Sequence, residues 1–392
     1  MNNVQTLKGF RDFLPKEMRK RQYVINTLKQ VFESYGFEPL ETPALEYAEI
    51  LLGKYGEEGD KLMYKFKDNG DRDVALRYDQ TVPLARVVAQ YQNELPMPFK
   101  RYQIQPVWRA ENTQKGRYRE FLQCDADIVG ANSPLSDAEI INLAEKALEK
   151  LGFSNYKIVI NDRVNFANVP PLAIATIDKL QKIGKEGVLK ELGDKGIPAS
   201  TLDEVLNKKP TENLEKIIRL LNNPRVVFDP TLARGLDYYT GLIFEIEIEG
   251  YSAGSVCGGG RYDNLIGMFA GKDIPAVGFA FGFDRLVEAM DELNLFPTDL
   301  ATTKVLVTVF SDDLRNKSIE VANKLRENDI NTELYLDDAK MEKQLKYADQ
   351  KGIPFVVIIG PDEAKNNTVT LKNMKTREQQ TDSFPVIADL IR

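Results

Sequence analysis

The chain has 392 residues, 43% of them hydrophobic and 28% charged, with a net charge of −7 at pH 7. That length implies more than one domain and that balance an ordinary globular protein. The acidic total argues against non-specific nucleic-acid binding by the whole surface but leaves room for a local basic patch.

The N-terminal MNNVQTLKGFRDFLP lacks the apolar core of a secretory signal, and no apolar run is as long as a membrane span. A cytoplasmic protein without membrane contact is expected. Residues 16–35 read as a helix, with Val24, Ile25, Leu28, Val31 and Phe32 at helical spacing and Gly36 as the stop. Residues 37–44 read as a short extended piece broken by Pro39 and Pro43. Strands are expected over 73–77, 101–109 and 118–129, with a helix over 81–91. Ser136 and Glu139 have capping-box spacing for a helix running to about Lys150, and 156–160 reads as a further strand. Residues 166–224 are rich in Lys, Leu, Glu and Ile and read as a small helical insertion. Strand-rich sequence resumes after Phe228 and ends near Leu295. Strands and helices without regular alternation predict an α+β fold with a largely antiparallel sheet flanked by helices. After a linker at Phe296-Pro297-Thr298, the segments 305–310, 332–336 and 355–360 alternate with helices as in a parallel α/β unit.

Two cysteines, Cys124 and Cys257, form no paired motif, and the chain contains no histidine. A zinc site is therefore not expected. The commonest general acid or base is also missing, so any chemistry must run on arginines, carboxylates, phenols or the substrate itself.

Five stretches concentrate such groups. LARGLDYYTGLIFE (232–245) places Arg234, Asp237, Tyr238 and Tyr239 ahead of a strand over 242–248. LRYDQT (76–81) supplies Arg77, Asp79 and Thr81, with Asp79 and Thr81 expected on one side of an extended chain. In 106–127 two strand-like arms flank a polar loop. Arg109 sits on the first arm, Arg117 lies in the loop, and Gln123, Asp125 and Asp127 alternate along one face of the second. CGGGRYDNL (257–265) is a glycine cluster leading to Tyr262, and VGFAFGFDRL (277–286) a small-residue strand turning into a helix that carries Arg285. Taken singly, the glycines suit a turn, Arg109 and Glu111 a salt bridge, and Arg285 a surface helix. Together, several arginines beside strand-borne carboxylates suit the grip on a triphosphate while a substrate carboxylate attacks it.

The order of these stretches resembles the class II aminoacyl-tRNA synthetases, and among them the histidyl-tRNA synthetases. VWRAE with GRYREFLQ resembles motif 2, GFAFGFDRL motif 3, and the helix before Gly36 with Pro43 the weaker motif 1. RGLDYYTG and GGGRYD are similar to the two signatures that set the histidine enzymes apart. LRYDQT and FLQCDAD look archaeal or eukaryotic, TQKGRYREF bacterial. The family often carries histidines where this chain has Ala110 and Leu122.

The resemblance implies a class II catalytic domain over 1–300, holding the insertion of about 166–224, and an anticodon-binding α/β domain over 301–392. The substrates implied are L-histidine, ATP with accompanying Mg²⁺, and tRNA(His). The catalytic arginines would be Arg109, at the α-phosphate, and Arg234, supplying charge that other class II enzymes take from a metal. Arg109, Glu111, Arg117 and Arg285 would bind ATP. Asp79, Thr81 and Gln123 would hold the α-ammonium group, and Asp127 and Tyr239 the ring, with Tyr238, Tyr262 and Arg234 completing the histidine site. Lys343, Lys346 and Lys351 are candidates for phosphate contact in the C-terminal domain, and the loop 112–115 for reading the extra guanylate of histidine tRNA. A two-fold homodimer built on motif 1 is expected. A histidine-free enzyme of this type would need none of its own product to be synthesised.

Two other readings are an ATP phosphoribosyltransferase regulatory subunit and a non-catalytic histidine or tRNA sensor. The first ordinarily lacks the anticodon domain and loses catalytic positions, whereas Arg109, Arg234, Arg285 and residues 304–392 are present here. The second would need a signalling domain for which this length leaves no room.

Overall fold

Side-chain alternation builds the central sheet. Along Leu242–Ile248, Leu242, Phe244, Ile246 and Ile248 are buried in one core, while Glu245 and Glu247 point to the opposite face. Cys124, Ala126 and Ile128 point into that same core, and Gln123, Asp125 and Asp127 point away from it. The computed structural model of the protein describes residues 4–54, 56–113, 116–234 and 238–392. Asp237, and Gln114 and Lys115 of the 112–115 loop, lie outside the described residues.

The first compact unit ends at Phe296 and the second is Pro297–Arg392, so the division falls within the expected linker. The first unit is organised on an eight-stranded sheet. Its order is Glu38–Pro39, Phe99–Trp108, Glu120–Val129, Ala276–Gly282, Cys257–Arg261, Leu242–Ile248, Tyr156–Asp162 and Val226–Phe228. Pairing is antiparallel except at the two edges. Helices Pro15–Ser34, Pro134–Lys150, Glu212–Leu221 and Phe283–Glu292 contribute Val24, Leu28, Ile140, Leu143, Leu214, Ile217, Phe283 and Leu286 to the core on one face.

Three sequence expectations change. First, the helix of the 130s starts at Pro134, with Ser133 as its cap: Ser133 Oγ accepts from the Leu135 amide at 3.2 Å. Ser136 is buried instead, accepting from Arg261 Nη2 at 3.0 Å, while Asp137 accepts from the same guanidinium. Second, residues 166–224 are not one body. Helices Pro171–Ile177, Leu180–Asp194 and Ser200–Leu206 pack with the cluster holding Tyr238, Tyr239 and Tyr262, whereas Glu212–Leu221 belongs to the core across the sheet. Third, the glycine cluster is a sheet strand, Cys257–Arg261, with neighbours on both sides.

In the second unit, strands Thr332–Leu334, Val305–Val307 and Phe355–Ile358 pair in parallel, as expected. The sequence reading missed two further antiparallel strands, Thr368–Asn373 and Gln379–Ser383. Lys343 is ion-paired with Asp337 at 3.3 Å and Lys351 with Glu333, and Lys346 is exposed. Among the described residues, no helix is long and apolar enough to cross a membrane.

Candidate active site

The face of the sheet opposite the apolar core carries a cavity of about 610 Å³. Its wall includes Asp79, Thr81, Arg109, Glu111, Arg117, Gln123, Asp127, Arg234, Tyr238, Tyr239, Tyr262 and Arg285, so the sequence-predicted site residues converge on one space. Arg77, prominent in the same motif as Asp79, does not line it. It is buried in a shell of neutral oxygens, donating to the carbonyls of Thr42 (2.6 Å), Pro43 (3.2 Å) and Pro106 (2.8 Å) and to Gln105 Oε1 (3.1 Å).

The carboxylate end is built from two facing strands and a helix start. Asp79 does not lie beside Thr81 on an extended chain. Thr81 opens the helix Thr81–Gln90, and Asp79 Oδ1 accepts the amides of Thr81 and Val82 at 3.1 Å each. A carboxylate in that place meets the unsatisfied amides and positive dipole end of the helix. Across the hairpin, Arg101, Gln103 and Gln105 stand opposite Asp127, Asp125 and Gln123. Arg101 Nη2 lies 2.8 Å from Asp127 Oδ2 and 3.9 Å from Asp125 Oδ2. Gln123 Nε2 donates to Asp125 Oδ2 at 3.2 Å, and the Tyr262 hydroxyl donates to Asp127 Oδ1. Burial pushes both Asp125 and Asp127 above the usual carboxylate range, against the pull of Arg101. Gln123 Oε1 and Asp125 Oδ1 are buried without a hydrogen-bond partner. Such orphaned acceptors are costly unless a ligand supplies donors.

The phenols close this end. Tyr238 packs at a tilt against Tyr239, 5.0 Å between ring centroids, and edge-to-face against Tyr262 at 5.8 Å. Burial raises all three hydroxyls, keeping them protonated as donors.

Arg234 is held by Glu245, with Nη1 to Oε1 at 2.6 Å, and its guanidinium lies 6.0 Å from the centre of the Tyr239 ring. The glycines make room for it: a Cβ on Gly258 would lie 1.8 Å from Arg234 Nη1. Gly278 makes the same allowance for Asp127, since its Cβ would lie 1.9 Å from Asp127 Oδ1. Neither glycine has positive φ, so close approach rather than backbone freedom explains them.

The other end is arginine-rich. Arg109 Nε donates to the Tyr78 carbonyl at 3.0 Å, and its guanidinium lies over the rings of Tyr78 (4.3 Å) and Phe121 (5.2 Å). Glu111 pairs with Arg117, at 3.5 Å, rather than serving as the partner suggested for Arg109. Arg285 donates to the Ser255 carbonyl at 2.9 Å. Asp284 beside it accepts from Arg11 (2.8 Å) and Arg21 (2.6 Å), fixing the start of this helix to the N-terminal segment.

Sequence reasoning assigned no role to Arg101, Asp125, Glu245, Asp178, Gln181 or Lys182. Five of them line the cavity, and Arg101 lies behind its wall. The signal for the first two was available: polar residues alternate on both arms of the hairpin, and antiparallel register stacks them into one buried ladder. Asp178, Gln181 and Lys182 come from the insertion, whose return to the cavity is a tertiary event without a local motif.

The sequence pattern described as histidyl-tRNA synthetase matches residues 9–169 and 162–286, and that described as anticodon binding domain matches 304–392. The histidine–tRNA ligase of Cytophaga hutchinsonii is 43% identical, covering 95% of this chain and 96% of the relative. That of Aeropyrum pernix is 44% identical, covering 93% and 92%. The crystal structure of histidyl-tRNA synthetase from Nostoc sp. PCC 7120 superposes with a TM-score of 0.86 at 32% identity, covering 100% of this chain and 99% of that one. Matches of this extent take in the hairpin, the RGLDYY stretch, the glycine strand and the C-terminal unit together, and the chain belongs to the histidyl-tRNA synthetase family.

Proposed function

We propose that the chain is a histidine–tRNA ligase that activates L-histidine with ATP and transfers it to the 3′ end of tRNA(His), using the cavity residues as follows. The observation that carries the assignment of roles is the polarity of the cavity. Buried carboxylates, orphaned acceptors and phenols gather at one end, and Arg109, Arg117 and Arg285 at the other, with Arg234 on the same wall. The first end suits a cationic ammonium group and an imidazole, which needs one donor and one acceptor. The second suits a polyphosphate.

In the first step a carboxylate oxygen of histidine attacks the α-phosphorus of ATP. The bond to the bridging oxygen breaks and pyrophosphate leaves with the electron pair. The nucleophile is already ionised at neutral pH, so no general base is required, and catalysis is positioning plus charge stabilisation. Arg109 and Arg234 serve the α-phosphate and substrate carboxylate, and Arg285, Arg117 and Glu111 the rest of ATP. Mg²⁺ enters with ATP as part of the substrate. Asp79, Thr81, Gln123 and Tyr238 serve the ammonium side, and Asp127, Tyr239 and Tyr262 the ring. In the second step the terminal tRNA hydroxyl attacks the acyl carbon, AMP leaves, and the hydroxyl proton passes to a phosphate oxygen of the adenylate. The 304–392 unit contacts the anticodon, the working form is a two-fold homodimer, and the site of action is the cytoplasm.

The test is transfer of labelled histidine to tRNA(His) with one AMP formed per histidine attached. Histidine binding without transfer would contradict the ligase reading, and an elution volume of a monomer at working concentration would contradict the dimer.

A further inference from the structure

Two of the buried arginines, Arg77 and Arg101, are housed in opposite ways. Arg77 is enclosed by neutral acceptors at 2.6–3.2 Å. Arg101, with no exposed surface, reaches its neutral partners, Gln103 Oε1 and the Gln80 carbonyl, only at 3.4 Å. Its Nε has no partner. Its one short contact is the 2.8 Å approach to Asp127, and Asp125 stands at 3.9 Å. A buried charge this poorly served by neutral groups is costly, and its compensation comes from the pocket carboxylates.

Arg101 does not line the cavity, whereas Asp127 does. Asp127 is held from two further sides: Tyr262 donates to its Oδ1, and Gly278 leaves it room. We infer that Arg101 is a positioning residue for histidine recognition, holding the Asp127 carboxylate from behind so that it faces the cavity as a fixed acceptor for the substrate ring. This inference rests on the proposed role of Asp127 in that reading.

The charge balance supports it. Asp127 is faced by Arg101 from the Phe99–Trp108 strand, by Asp125 on its own strand and by Asp79 from the turn before the Thr81–Gln90 helix. Tyr262 and Tyr239 approach from the other elements, and the Ala276–Gly282 strand presents only Gly278. Burial, the largest influence, raises Asp127, and the charge of Asp79 adds to it, while Arg101 and the Tyr262 hydroxyl oppose them. Without Arg101, Asp127 holds its proton to higher pH.

The experiment uses the full chain with Arg101→Met and Arg101→Lys. Histidine-dependent exchange of labelled pyrophosphate into ATP is followed from pH 6 to 8.5, with KM measured separately for histidine and ATP, alongside thermal melting. For Arg101→Met the expected result is a KM for histidine raised about tenfold or more and a KM for ATP within about twofold of wild type. The pH midpoint of the histidine KM should move upward. Arg101→Lys, keeping the charge but losing the fork, should show a selective rise of only a few fold with a near-wild-type midpoint. A folded Arg101→Met with wild-type histidine KM and midpoint overturns the inference. So does an equal rise in both KM values in step with lost melting temperature. If Arg101→Met does not fold, Arg101→Lys decides: selective change supports the inference, and unselective change or none overturns it. A wild type that shows no exchange would instead remove the ligase reading itself.

Discussion

Gly258, Gly259 and Gly260 are consecutive in one strand, yet each is required by a different neighbour. A Cβ at Gly258 meets only the movable guanidinium end of Arg234, whereas one at Gly259 would lie 2.3 Å from the Gly278 carbonyl and one at Gly260 2.4 Å from the Leu242 carbonyl. Gly258→Ala should therefore fold with a stability change of under about 1 kcal/mol but displace Arg234. Adenylation should fall on the order of 10²-fold, the scale of losing one charge-stabilising group. Gly259→Ala forces backbone apart and should cost about 1–3 kcal/mol or more. Chemical denaturation and pyrophosphate exchange on the same two variants separate these outcomes. Equal stability losses would contradict this division of labour. Gly278→Ala should raise the histidine KM, because its new methyl would occupy the place of Asp127 Oδ1, and should also cost stability, because that methyl would lie 2.8 Å from the Ala126 carbonyl.

At the scale of elements, the helix carrying Arg285 is aimed by Asp284. That carboxylate is nearly buried and receives both Arg11 and Arg21, and Arg21 lies 3.9 Å over Phe13 and 4.7 Å over Phe283. Asp284→Ala leaves two guanidinium groups without their partner and should cost on the order of 3 kcal/mol. It should also raise the KM for ATP more than that for histidine, since Arg285 follows in the same turn. A thermal melt with both KM values checks this. The element scale also shows what the sequence could carry. Leu242–Ile248 was legible because its alternation is local, and the motif residues were legible because the resemblance orders them. The cap at Ser133 was not, because Ser136 has the right spacing but is drawn to Arg261, more than a hundred residues away. The strand Gln379–Ser383 escaped because a polar, mostly exposed strand such as QQTDS gives no apolar period, whereas Thr368–Asn373 does carry the alternating buried pair Val369 and Leu371, a signal present in its own sequence. The glycine strand escaped because its reason lies in Arg234 and the neighbouring strands, not in its own sequence.

For the whole molecule, no histidine of the chain titrates near neutral pH, although Asp137, which burial raises to about 6, and the imidazole of the substrate do. Burial raises Asp125 and Asp127 above the ordinary aspartate value of 3.8. Because their folded values exceed the unfolded one, their contribution to stability is fully present below pH 3.8 and is lost as pH rises through the raised folded values. Over that window the empty site becomes more anionic and less comfortable, so an ammonium ligand gains affinity. The melting-temperature increase produced by saturating histidine should therefore rise more with pH in wild type than in Asp127→Asn, the titration of the ligand's own imidazole being common to both. An identical pH dependence in the two proteins would contradict the assignment of this carboxylate to the substrate.

The central claim is that one cavity adenylates histidine with arginine charge and without a general base. Its most direct test is histidine-dependent pyrophosphate exchange in the absence of tRNA, comparing wild type with Arg234→Ala. The account predicts robust exchange for histidine, none for other amino acids, and a fall of about 10²–10³-fold in the variant with its fold intact. Histidine binding without exchange in the wild type, or undiminished exchange in Arg234→Ala, would contradict it.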